Sequence, residues 1–102
     1  AMKVQFTKSG LARFHEILDL IGESNRFALR RFQSRVRKAS QRIGRFPSSG
    51  SAVLEFPGLQ LREFLVEPYR FVYYIDEPRR LVRIVAVWHG AQLPATPELP
   101  AP

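Results

Sequence analysis

Cysteine is absent from the 102 residues, histidine occurs only twice, and tryptophan and methionine once each. Without a thiol there is no disulfide framework, no cysteine nucleophile and no thiolate metal site. His15 and His89 lie far apart and the carboxylates are scattered, so no ligand spacing for a metal emerges. There is no H-E-x-x-H, no Walker loop and no G-x-G-x-x-G. No metal or cofactor is expected. No apolar run is long enough to cross a bilayer, so no membrane partner is expected. Charge begins at once with Lys3 and Lys8, which argues against a signal peptide and makes the cytoplasm the default. Acid is scarce as well. Nine acidic residues face 16 basic ones, a net charge of +7. That excess suits nucleic acid or an acidic protein and does not choose between them.

What is present is a chain with 45% hydrophobic residues, enough for one ordinary core. The stretch from Leu59 to His89 is rich in β-branched and aromatic residues. Glu67-Pro68 and Asp76–Arg80 break it into three runs, which predicts an antiparallel three-strand meander. Alternation sorts the faces. In the first run Arg62, Phe64 and Val66 oppose Leu61, Glu63 and Leu65. In the second, Tyr69, Phe71, Tyr73 and Ile75 oppose Arg70, Val72 and Tyr74. In the third, Leu81, Arg83, Val85, Val87 and His89 oppose Val82, Ile84, Ala86 and Trp88, with Ile84, Ala86 and Trp88 on the core side. Both faces are largely apolar, so helices are expected on one and a partly exposed binding surface on the other.

Ahead of the meander, Lys3 to Phe6 reads as a short strand and Thr7 as a helix cap. Leu11, Phe14, Leu18 and Ile21 recur at helical spacing, and Gly22 is expected to end that helix. Ser24 or Asn25 can cap a second helix, Arg26 to Ile43, whose apolar stripe is Leu29, Phe32, Val36, Ala39 and Ile43. Its other side is basic, with no acid between Arg26 and Arg45. The short link makes the helices antiparallel. Leu11, Phe14, Leu18, Phe32, Val36 and Ile43 are expected against the sheet. Phe46 to Gly58 is a loop, with Ser48–Ser51 its mobile part and Val53, Leu54 and Phe56 anchoring it or adding a strand. The expected fold is α+β: an N-terminal strand, a helical hairpin, then the meander. Residues 3–93 form the single domain and 94–102 a proline-rich flexible tail.

A metal-free ribonuclease needs a base, an acid and cations for the developing charge. Arg62, Arg70 and Arg83 supply cations, and Tyr73 and His89 are the candidates for moving a proton. The alternative is structural: arginines in ion pairs, Glu63 with an arginine on an adjacent strand, tyrosines filling the sheet, and His89 bonding the final turn. Arg31, Arg35, Arg62, Arg70 and Arg83 are equally candidates for holding a protein partner.

The order V-Q-F-T-K-S-G-L from Val4, Phe46-Pro47, L-R-E-F at Leu61–Phe64, P-Y-R-F-V-Y at Pro68–Tyr73 and I-V-A-V-W-H-G at Ile84–Gly90 resembles the RelE/ParE superfamily of bacterial type II toxin–antitoxin toxins. The resemblance implies a helical hairpin on a curved antiparallel sheet and neutralisation by a cognate antitoxin. It implies one of two activities, ribosome-dependent messenger-RNA cleavage or inhibition of DNA gyrase. Leu59–Val66 has no lysine, Ala91 and Gln92 stand where many cleaving relatives have arginine, and no tyrosine follows Tyr74. Those departures favour the ParE-like, gyrase-inhibiting branch. The ribosome and its messenger are the alternative target, and a non-toxic basic protein-binding module the third reading.

Overall fold

The computed structural model describes residues 1–100, so Ala101 and Pro102 of the expected tail lie outside the described residues. The elements are β1 (Lys3–Phe6), α1 (Lys8–Ser24), α2 (Arg26–Arg45), β2 (Ser51–Ala52), β3 (Arg62–Val66), β4 (Tyr69–Asp76) and β5 (Leu81–His89). The α+β class, the N-terminal strand, the hairpin and the β3–β5 meander match expectation. The sheet is larger than a meander. It has five strands in the order β1-β5-β4-β3-β2, and β1 runs parallel to β5. The helical hairpin lies on the path between these parallel neighbours and covers one face of the sheet.

Two small residues fasten α1 to the sheet. The Thr7 N–H donates to the Ile84 carbonyl at 2.9 Å, and the Thr7 Oγ1 accepts from the Gly10 N–H at 3.2 Å. A Cβ on Gly10 would lie 2.4 Å from the Ile84 oxygen, so only glycine lets the first turn of α1 touch β5. Gly22 does not end α1. The helix continues to Ser24, and at Gly22 the missing side chain leaves room for Leu29 of α2. Asn25 turns the chain, its N–H donating to Ile21 and its Oδ1 accepting from Ala28. α2 runs two residues past Ile43.

Ile17, Phe32, Val36 and Ile43 meet Phe64, Val66, Tyr69, Phe71, Tyr73, Val82, Ile84 and Val87, with Phe14 and Leu18 packed alongside. Leu11 is exposed, not core. Ala86 and Trp88, expected under the helices, lie on the opposite face. The cause is a β-bulge. Val72 pairs with Ala86 and Tyr73 with Ile84, which leaves Val85 as one extra residue in β5. An extra residue reverses the alternation beyond it. Val87 and His89 therefore turn to the helix side, parting from Leu81, Arg83 and Val85.

The second face carries its own cluster of Val53, Leu61, Val72, Val85 and Trp88, with Phe56, Leu59, Tyr74 and Ala86 against it. The segment between β2 and β3 folds over it, so this face is less open than alternation alone suggests. Val53 and Phe56 anchor that segment as expected, whereas Leu54 is exposed. Ser48–Ser51 is built into the structure: Gly50 is buried and Ser51 pairs with Glu63. Residues 93–100 have no regular structure, and Leu99 and Pro100 reach back to the β4–β5 turn.

Candidate functional site

Arg70 of β4 lies on the second face, and its neighbours explain its posture. Across the strand pair, Glu63 takes hydrogen bonds from the Arg70 Nε at 2.9 Å and from Nη2 at 2.7 Å. From the folded-over segment, Glu55 takes Nη1 at 2.9 Å and Nη2 at 2.8 Å. The guanidinium carbon stands 5.1 Å from the centre of the Trp88 ring. Two bidentate carboxylates and an aromatic face therefore occupy this arginine. The hydrogen bonds it donates to Glu63 and then to Glu55 hold its pKa above the ordinary arginine value. The bonds from Arg70 hold the Glu55 carboxyl below the usual carboxylate range. The pairing of Glu63 with a cross-strand arginine was legible in the sequence. The share of Glu55 was not, because it depends on how the 53–59 segment folds back.

Tyr73 and Arg62 are on the helix side and serve the loop after α2. The Tyr73 hydroxyl donates to the Pro47 carbonyl at 2.5 Å and accepts from the Gly50 N–H at 3.1 Å. Arg62 Nη1 donates to the Gly50 carbonyl at 2.8 Å. Burial pushes the Tyr73 hydroxyl above its ordinary value, against the opposing pulls of the Gly50 hydrogen bond and of Arg62. Such a phenol keeps its proton and is a poor base. Tyr73→Phe leaves a buried N–H and a carbonyl without that partner. A loss of about 1–3 kcal/mol in urea unfolding is expected.

His89 closes β5 in the way a structural histidine does. Its Nδ1 accepts from the Ala91 N–H at 3.1 Å, its backbone N–H donates to Gln92 Oε1 at 2.9 Å, and its ring meets Tyr69 edge-on. Arg83 pairs in register with Tyr74 on the second face, and its Nε is buried without a partner. Arg62, Arg83 and Tyr74 line an open cavity of about 940 Å³ beside the Asp76–Arg79 turn. Arg31 and Arg35 stand apart from all of these, exposed on α2. The five ribonuclease candidates are thus divided. Arg62, Tyr73 and His89 point to the helix side, Arg70 and Arg83 to the other. Among the described residues no group of histidine, aspartate and glutamate could hold a metal. No helix there is long and apolar enough to cross a membrane.

A helical hairpin laid on a mixed sheet that ends in a bulged strand defines a RelE/ParE-like toxin fold. A chain of the toxin–antitoxin complex RelBE2 from Mycobacterium tuberculosis has the same fold at a TM-score of 0.59 and 21% identity, over 86% of this chain and 96% of that one. Residues 4–94 match the family model described as the ParE toxin of the type II toxin–antitoxin system parDE, and the chain belongs to that family. It is therefore the toxin component of a bacterial type II system. Among curated protein sequences none is significantly similar.

Proposed function

We propose that this toxin arrests growth by binding a target protein, DNA gyrase, without cutting RNA, and that a cognate antitoxin neutralises it. The carrying observation is that its candidate groups do not converge: Arg62, Tyr73 and His89 lie on the helix side of the sheet and bond the protein's own loops and turn, while Arg70 and Arg83 lie on the other side. Phosphodiester cleavage needs a base, an acid and a cation converging on one reacting phosphate. Here Tyr73 is spent on Pro47 and Gly50, His89 on the final turn, and Arg70 on two carboxylates. A protein-binding surface needs no such convergence.

The antitoxin contact has a natural place on β3. β2 pairs only with Arg62 and Glu63, so Phe64–Val66 have a strand neighbour on one side alone, and Leu65 there is 60% exposed. An unpaired edge with an exposed apolar side chain accepts an added strand. The charge of +7 favours an acidic one.

The test runs the purified toxin in parallel against gyrase supercoiling and against programmed ribosomes, following the messenger at nucleotide resolution. Inhibited supercoiling, relieved by the antitoxin encoded beside it, with an intact messenger, is the expected result. Ribosome-dependent cleavage that disappears in a folded Arg83→Ala variant overturns it in favour of the endonuclease. Silence in both assays overturns the choice of gyrase.

A further inference from the structure

α2 carries eight basic residues and no acid from Arg26 to Arg45, and all eight are exposed. Among the described residues the ion pairs are Arg70 with Glu55 and Glu63, and Arg79 with Asp76. Among the described residues no α2 cation has a carboxylate partner, and Glu16, Asp19 and Glu23 of the adjoining α1 do not supply one.

The cations are ordered. Arg31, Arg35, Lys38, Arg42 and Arg45 follow steps of four, three, four and three, a continuous stripe of roughly 21 Å at the rise of an α-helix. Arg26, Arg30 and Arg37 fall in a second arc on the other side of the outward direction. Ser34 and Gln41 lie between the two arcs, and buried Phe32, Val36 and Ile43 hold the opposite side to the core. This arrangement costs helix stability. Arg26 with Arg30, Arg31 with Arg35 and Lys38 with Arg42 are like charges one turn apart. Arg26 also sits at the positive end of the helix dipole. A face serving solubility alone would mix its signs and avoid both penalties.

The occupant must be a polyanion with charge on two sides of a ridge. A protein interface is built around an apolar centre, and the only large apolar side chain on this face is Phe27, at one end. Duplex DNA presents phosphates on both walls of a groove that admits an α-helix. Two arcs of cations flanking small polar residues match those walls. Contacts to phosphate position a protein and carry no sequence information. We infer that the outer face of α2 binds duplex DNA through its phosphate backbones, independently of sequence. This surface is separate from the sheet, so the inference does not depend on gyrase being the target.

Fluorescence anisotropy of a labelled short mixed-sequence duplex tests it with the full-length toxin, over about 50 to 200 mM salt. The triple variant Arg31→Gln, Arg35→Gln, Lys38→Gln alters exposed positions only, and circular dichroism verifies its fold. Its affinity falls at least about tenfold and the slope of log K against log salt drops by about 2–3. The control Arg79→Gln, Arg80→Gln, at the β4–β5 turn, leaves the affinity and the slope at their wild-type values. Absence of duplex binding by the wild type, or an unchanged slope in the triple variant, overturns the inference. Tighter binding of poly-glutamate, lost in the same variant, overturns it in favour of an acidic protein. Tighter binding of single-stranded RNA overturns the assignment to duplex DNA.

Discussion

Phe32→Ala lowers the unfolding free energy by about 3–5 kcal/mol, the usual cost of emptying a buried aromatic site. Phe32 is only 4% exposed, and its ring lies 5.6 Å from that of Tyr69, edge-on, 6.3 Å from Phe71 and 6.5 Å from Phe14. It is the side chain through which α2 reaches the sheet and α1 together. Two of these rings are fixed on β4 and the third on α1, and they do not collapse into the space it leaves. Equilibrium denaturation in urea measures the loss as a lower midpoint at unchanged slope. An unfolding free energy within about 0.5 kcal/mol of the wild type would remove Phe32 from the core.

Arg70→Ala is the second large effect, at about 2–4 kcal/mol. That is slightly below the cost of breaking a fully buried pair, because the Arg70 and Glu63 side chains retain 17% and 13% of their exposure. The variant leaves two carboxylates beside each other over Trp88 with no cation between them. Its pH dependence identifies the cause. The Glu55 carboxyl is held below its ordinary value of 4.5 by Arg70. A carboxylate lowered in the folded state stabilises at pH above its unfolded value and loses that contribution as pH falls through the folded one. The gap between wild type and variant is therefore widest at neutral pH and narrows as the pH drops below about 4.5. Pairing the change with Glu63→Gln restores part of the stability at neutral pH. A gap that stays constant down to strong acid would refute the ion-pair explanation. Loss of toxicity in Arg70→Ala consequently reports on folding unless stability is measured beside it.

The helices were the most legible part of the molecule, because a stripe with a 3.6-residue period is written in consecutive residues. Asn25 and Thr7 were recognisable caps for the same reason. Gly22 misled because a glycine that ends a helix and one that admits a neighbouring leucine look alike in one dimension. β2 escaped notice because two residues, Ser51 and Ala52, hold no period. Val85 escaped because a bulge is a count mismatch between two strands and leaves no composition signal in either. It cost the facial placement of Ala86, Trp88, Val87 and His89 at a stroke. The candidate site residues are visible in the sequence only as residue types. Their separation onto two faces, and the commitment of Tyr73 to Pro47 and Gly50, required the loop after α2 to be placed in space.

The parallel pairing of β1 with β5 joins residues made at opposite ends of synthesis. Lys3 waits for Leu81, roughly eighty residues later. At about 5–20 residues per second that is on the order of 4–16 s of translation. Throughout that interval the nascent chain has a strand without its neighbour and α1 without the Ile84 carbonyl that seats its first turn. The first turn of α1 is thus seated, and the sheet completed, only when the last strand has been made.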